Sequence, residues 1–206
     1  MLRRALGTLA PLALVVVLAA CTGSSEDGSP DVAEPTPIDA YAAEGIPVPR
    51  APFCDLVPEG PVEQAVGKDA TTAHYGNGDT AAVTDRVEDV AHEFNCGYVG
   101  AGGETARAWL FAPPVTPAQA RTLVEEVRRT DGCRLVAGHG FGQPGTGSVC
   151  VSDGRTRAAY RGLFGDAWFA CELGQAGTAA PVAQRQLLQD AGEWCVSVVE
   201  GLRTGE

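Results

Sequence analysis

Cysteine is the residue type with the clearest chemistry in this chain of 206 residues, which holds seven cysteines but only three histidines. Thiolates and imidazoles form zinc sites when they occur as CxxC pairs or as closely spaced histidines, and neither pattern is present. The sequence therefore favours disulfides over a metal site, although an odd count leaves one thiol over. The seven are Cys21, Cys54, Cys96, Cys133, Cys150, Cys171 and Cys195.

The extra cysteine, Cys21, follows a segment typical of a secretory signal. A short basic start precedes residues 5–20, which are almost wholly apolar and too few for a stable membrane span. The stretch Leu18-Ala19-Ala20-Cys21 resembles the lipobox of bacterial lipoproteins. The resemblance implies a signal peptide over 1–20 and a diacylglyceryl group on Cys21, which would anchor the chain on the extracytoplasmic face of the cell membrane. An ordinary signal peptide with a nearby cysteine is the alternative.

Composition predicts a tether and one domain after Cys21. Residues 21–50 are rich in Ser, Gly, Pro and acidic residues, which is typical of a disordered segment. Residues 51–206 have the length of a single globular domain. The chain has 15 basic against 26 acidic residues and a net charge of −11, which argues against nucleic acid as a partner.

Hydrophobic periodicity predicts an α+β fold, with an antiparallel sheet of about five to six strands and helices packed on one face. The strongest signals are three alternating segments joined by tight turns at Asp153-Gly154 and Gly165-Asp166. Thr116 and Pro117 mark the start of a helix, and a long amphipathic helix ends the chain. The predicted strands cover 90–98, 105–112, 133–137, 148–152, 156–164 and 167–173, and the predicted helices are 58–67, 117–131 and 181–203.

Two segments are predicted as loops. Residues 68–90 are either a long loop, with a lid or recognition role, or a weak hairpin around Asn77-Gly78. The glycine-rich segment 138–145 superficially resembles a phosphate-binding loop. A phosphate loop leads into a helix, and none is predicted here, so a flexible loop held between Cys133 and Cys150 is the favoured interpretation.

Six cysteines remain for the domain, and an oxidising compartment predicts three bridges among them. One cysteine of the last strand and one of the last helix both lie on core-facing sides, so a bridge between them would hold helix to sheet. By the same argument, a bridge would hold the first helix to the first strand. Elimination then leaves the third pair. The predicted pairs are Cys171–Cys195, Cys54–Cys96 and Cys133–Cys150.

The start of the domain carries a family resemblance. Cys54-Asp-Leu-Val57, followed by Val62-Glu-Gln-Ala-Val-Gly67, resembles the opening of actinobacterial envelope lipoproteins, a group of uncharacterised function. These proteins typically continue with a cysteine in a strand, as in Phe94-Asn-Cys96-Gly-Tyr98, and end with a helix after a sheet. The resemblance implies an α/β sandwich with an antiparallel sheet. It implies no catalytic residue, and a Cys133–Cys150 bridge is not part of the core pattern.

No catalytic set can be assembled from the sequence. His139 and Ser148 could be imagined as a hydrolase pair, but there is no G-x-S-x-G motif and no evident third partner. His74 and His92 have no supporting neighbours. We therefore predict no catalytic residue, no cofactor and no metal, with an envelope hydrolase whose active site is not recognisable as the alternative.

Aromatic residues offer a candidate binding face. Alternation puts Arg107, Trp109 and Phe111 on one side of their strand, and puts Trp168 on the side opposite Phe169. The favoured interpretation is that a loop, either 68–90 or the glycine-rich segment, covers these rings; an exposed patch that binds a ligand is the alternative. The sequence thus predicts a non-catalytic lipoprotein that binds an unknown envelope protein or a small ligand.

Overall fold

The computed structural model describes residues 36–84, 86–136 and 140–204. The predicted signal peptide, Cys21, residues 22–35 and His139 lie outside the described residues. Everything described belongs to one unit, Glu34–Glu206. No described helix combines the length and the apolar character that a membrane span requires.

Runs of strands separate the three α-helices, and most elements lie close to the predicted bounds. The α-helices are α1 (Glu59–Val66), α2 (Pro117–Arg129) and α3 (Pro181–Thr204). The strands are β1 (Thr71–Thr72), β2 (Thr80–Thr84), β3 (Val87–Val90), β4 (Glu93–Val99), β5 (Thr105–Phe111), β6 (Cys133–Val136), β7 (Gly145–Ser152), β8 (Arg155–Phe164) and β9 (Ala167–Ala176).

Seven strands form one antiparallel sheet in the order β1-β4-β5-β9-β8-β7-β6. The α+β class and the long C-terminal helix are confirmed, while the predicted count of five to six strands is too low. The extra strand, β1, has only two residues, so it carries no readable alternation. It pairs with β4 at the edge of the sheet.

Helices cover both faces of the sheet, so the prediction that they pack on one face is wrong. The apolar stripe of α3 packs on β8 and β9, and α1 lies beside it on the same face. In contrast, α2 packs through Ala120 against Leu163 and Trp168, which belong to the other face. The physical reason is that these outward positions at one end of the sheet are themselves apolar and must be covered.

Part of the predicted tether is packed. Ile38, Tyr41, Ala43 and Val48 are buried in the main core, and the Tyr41 hydroxyl donates to Glu200 of α3 at 3.0 Å. The domain therefore begins before residue 51. Composition did not show this, because the few apolar side chains are spread among prolines and acidic residues that dominate the average.

The two predicted loops contain more structure than expected. Within 68–90, β2 and β3 form a separate hairpin that closes between Thr84 and Val87. Asn77-Gly78 does form a turn, but the hairpin is not centred on it. The described part of the glycine-rich segment leads into β7 and not into a helix. Phe141 anchors it, because this ring is only 1% exposed and packs edge-on against Phe164.

All three predicted disulfide pairs are present. They join the 3-10 helix at Cys54 to β4 at Cys96, β6 at Cys133 to β7 at Cys150, and β9 at Cys171 to α3 at Cys195. The last bridge is fully buried, since Cys171 and Cys195 are both 0% exposed. It fixes the long helix on the centre of the sheet.

Candidate ligand-binding face

Strand alternation divides the sheet between a core face and an outward face. On β9, Phe169, Cys171 and Leu173 enter the main core under α3. The residues that alternate with them, including Trp168 and Glu172, therefore point to the outward face, on which α2 packs.

The helix α2 covers one end of that outward face. Thr116 caps it, accepting from the Gln119 amide at 3.3 Å while the Gln119 side chain accepts from the Thr116 amide at 2.8 Å. The helix buries Trp168 to 2% exposure, and Phe111 packs against the same cluster. A helix covers these two rings, and neither loop of the sequence prediction belongs to the cluster.

The rest of the outward face is charged, and we call it the arginine face. Its side chains lie on three adjacent strands and are half-buried. It consists of Arg107 and Trp109 of β5, Glu172 of β9, and Arg155, Arg157 and Arg161 of β8. Of the four residues of the predicted binding face, Arg107 and Trp109 belong to this open part.

Trp109 holds two guanidinium groups in place. The Arg107 Cζ atom lies 4.5 Å from its ring centroid and the Arg161 Cζ atom lies 5.6 Å from it. Trp109 and Arg161 both pair with Ala170 on the strand between them, and this small residue leaves room for the contact. Cation–π attraction stabilises both cations where they are only partly hydrated.

Arg161 and Glu172 form the most buried ion pair of the face. Their closest atoms, Nη2 and Oε2, are 3.7 Å apart, with side-chain exposures of 15% and 20%. Burial lowers the pKa of Arg161, and burial raises the pKa of Glu172 against the opposing effect of Arg161, Arg157 and Arg107. Both shifts have the same cause, since loss of water disfavours each charged form. Arg161 also donates to the Ser148 hydroxyl at 2.8 Å.

Arg107 is fixed by neighbours on and beside β4. Its Nη2 lies 2.5 Å from the Glu93 carboxylate and 2.6 Å from the Tyr75 hydroxyl, and its Nε donates to Asn95. Tyr75 also donates to Glu93. Burial and this bond to Glu93 raise the pKa of Tyr75 to about 12, although Arg107 opposes the shift. The guanidinium of Arg107 is thus already oriented and paired.

Arg155 and Arg157 donate hydrogen bonds only to neutral groups. Arg155 donates to the Gly103 carbonyl at 2.8 Å and approaches the Thr105 hydroxyl at 3.5 Å, and Arg157 donates to the Ser152 hydroxyl at 2.5 Å. Among the described residues, no carboxylate lies within 4.0 Å of either guanidinium. Their positive charges are therefore compensated less than those of Arg107 and Arg161, which form ion pairs.

A cavity of about 550 Å³ opens at the edge of the arginine face. Arg107, Tyr75 and Asn95 line one part of it, and Gly97 and Thr105 line another. Its volume lies in the range of pockets that hold small molecules, and its lining mixes apolar surface with a few polar groups.

The described residues contain no arrangement of a nucleophile and a base. Ser148 is 1% exposed and accepts from Arg161, His92 is exposed, and the His74 Nδ1 accepts from the Gly97 amide at 3.2 Å. No histidine there is hydrogen-bonded to a serine, and no group of three metal-ligating side chains occurs within the described ranges.

The spacing of the arginines in β8 indicates part of this face, although the sequence prediction did not include them. Arg155, Arg157 and Arg161 share one parity along β8, so a strand must place them on the same side. Their meeting with Arg107 and Trp109 depends on β9 lying between β5 and β8, which alternation alone does not reveal.

Comparison with known proteins gives no family for the chain. No protein-family model matches it, and a search of curated proteins finds no significant relative.

Proposed function

We propose that this chain is a lipoprotein of the actinobacterial envelope type that binds a partner protein or a small ligand on the extracytoplasmic face of the cell membrane, without catalysis. The signal-like segment 1–20 and the lipobox-like stretch ending at Cys21 support the anchor. The three disulfides support an oxidising compartment.

The arginine face is the observation that carries the binding part of the proposal. It gathers four arginines, two of them stacked on Trp109, in a chain whose net charge is −11. Aromatic and arginine side chains contribute most of the energy in many interfaces, and here they are pre-oriented by their neighbours.

The side chains of this face suit binding better than proton transfer. A guanidinium stays protonated at any physiological pH, so it holds an anion but does not act as a base. The two serines beside the face, Ser148 and Ser152, accept hydrogen bonds from Arg161 and Arg157. A binding role accounts for these side chains without requiring a catalytic base or nucleophile.

Native mass spectrometry of the full chain, extracted gently from the membranes of a bacterium that processes lipoproteins, tests both parts. We expect a mass that corresponds to cleavage before Cys21, one diacylglyceryl group and the loss of six hydrogens. A Cys21→Ser variant should lack the lipid. A chain that is cleaved elsewhere and carries no lipid would contradict the anchor.

The same spectra test binding. We expect a non-covalent adduct, or a co-purifying partner, that is retained by Arg185→Gln and lost from Arg161→Gln. Arg185 is exposed on α3, on the other side of the sheet, so the pair is matched in charge. Circular dichroism verifies that both variants are folded. A species bound equally by both variants would place the binding surface elsewhere, and no bound species at all would contradict the proposed function.

A further inference from the structure

The arginine face has more positive than negative charge. Its four arginines face two carboxylates, because Glu93 pairs with Arg107 and Glu172 pairs with Arg161. Arg155 and Arg157 are left with a carbonyl and two hydroxyl groups as partners. Glu172 also attracts Arg157 and Arg155 from beyond ion-pair distance, but one carboxylate cannot neutralise three arginines, so the face keeps an excess of two positive charges among the described residues.

The excess charge is held in a partly dehydrated place. Arg155 and Arg157 are half-buried, and the neighbouring Arg161 is nearly covered. Unpaired charge is costly where water is excluded, and like charges raise that cost. An anion bound between the two arginines would remove both penalties.

Gly174 brings these two side chains together on the sheet. It lies between Thr105 and Arg157 in register. A Cβ atom at this position would lie 2.5 Å from the Thr105 hydroxyl, 3.4 Å from the Arg157 Cγ and 3.6 Å from the Arg155 Nη2. The missing side chain thus lets the Thr105 hydroxyl and both arginines approach the β9 backbone closely, as is typical of glycine within a strand.

We infer that the arginine face binds a phosphate group, with Arg155 and Arg157 as its main contacts. This inference rests on the proposed binding function and names the chemistry of the ligand. A phosphate monoester has a charge of about −1.5 to −2 at neutral pH and three acceptor oxygens, which matches two unpaired guanidinium forks. The hydroxyls of Thr105 and Ser152, now acceptors for these arginines, add donors beside the phosphate.

The adjoining cavity has room for the rest of a small phosphate ester. It reaches Thr105, which also contacts Arg155, and continues past Arg107 to Tyr75. The phosphate could belong to a free metabolite-sized ester or to a lipid headgroup, and both present the same oxyanion to the two arginines.

Isothermal titration calorimetry of the full chain in neutral detergent with inorganic phosphate tests the inference, with chloride at equal ionic strength as the reference. We expect phosphate to bind, and Arg155→Gln with Arg157→Gln to weaken binding by about tenfold or more, since each lost charge-assisted contact costs of that order. The matched control is Arg121→Gln with Arg185→Gln, two exposed arginines on helices, which should leave the affinity unchanged.

Calorimetric titration of the same chain in detergent with short-chain phosphatidylcholine, and separately with short-chain phosphatidic acid, identifies the source of the phosphate; soluble lipids are used because the lipid on Cys21 would itself insert into a vesicle. Binding that needs phosphatidic acid and the two arginines identifies a headgroup, and binding of inorganic phosphate alone identifies a free ester. No phosphate or headgroup binding by the unaltered chain, or binding that the double variant retains, overturns the inference. If the native adduct persists in that case, the proposed function stands with a ligand of another class; if no adduct exists either, both fail.

Discussion

The two faces of the central sheet are built from alternate residues of the same strands, yet they hold different kinds of side chain. On β9, Phe169 and Cys171 are fully buried under α3, while Glu172, the next residue, lies among arginines. The core face is closed by rings, aliphatic chains and a buried disulfide. The outward face is closed by α2 at one end only, and its open end carries charge without full compensation.

This difference separates stability from function. Residues that pack under α3 should determine the free energy of unfolding, because they remove the most apolar surface from water. Residues of the arginine face should contribute less to stability and more to binding, because their charges are partly hydrated and partly unpaired. The predictions below test that division, beginning with the largest expected effect.

Phe169→Ala should lower the free energy of unfolding by about 3–5 kcal/mol, because it leaves a cavity in a closed core. Phe169 is 0% exposed and contacts the rings of Phe53, Phe141 and Phe164. The matched change on the outward face, Trp109→Ala, should cost about 1 kcal/mol. Urea unfolding followed by circular dichroism measures both, and equal losses would contradict the division.

Removal of the Cys171–Cys195 bridge by two alanine substitutions should lower the free energy of unfolding by about 2–4 kcal/mol. The sequence separations of this bridge and of Cys133–Cys150 are similar, 24 and 17, so the restriction of the unfolded chain is similar too. The core bridge should nevertheless cost more, because its loss also leaves a cavity between β9 and α3. A larger loss at Cys133–Cys150 would show that the sheet edge limits stability.

Thr116→Ala should lower the free energy of unfolding by about 1 kcal/mol, because the N-cap of α2 is lost. Thr122→Ala, in the exposed middle of the same helix, is the control and should be neutral or slightly stabilising. Thermal unfolding of the two variants provides the comparison. An equal effect of both changes would mean that the cap does not hold α2 over Trp168.

Tyrosine ionisation should have the smallest effect on the free energy of unfolding at neutral pH. Burial raises the pKa of Tyr160 on the core face and of Tyr75 beside the arginine face, each to about 12. A folded-state pKa above the unfolded value of 10.0 means that stability is intact below pH 10 and is lost as the pH rises toward 12. Phenolate absorbance and urea unfolding should show this decline together; ionisation of all four tyrosines at pH 10 would refute it.

Local patterns predicted most of the core face. Short segments contain the alternation in β8 and β9, the cap at Thr116 and the apolar stripe of α3. The core-facing positions of Cys171 and Cys195 followed from these patterns, whereas Cys133 and Cys150 were paired by elimination. The two-residue β1 and the buried side chains between Ile38 and Val48 lack a readable period. The position of α2 depends on strand order, because Phe111, Leu163 and Trp168 become a surface that needs a cover only when β5, β9 and β8 are neighbours.

One spectrum tests the central claim, that the outward face binds while the core face supports. The chain has three tryptophans, and their indole N–H groups report on three places: Trp109 in the arginine face, Trp168 under α2 and Trp194 in the core. In a nitrogen-15 correlation spectrum of the full chain in detergent, added phosphate should shift the Nε–H signals of Arg155 and Arg157, and any change among the indoles should be at Trp109. Shifts of Trp168 or Trp194 with unmoved Arg155 and Arg157 signals would contradict the account.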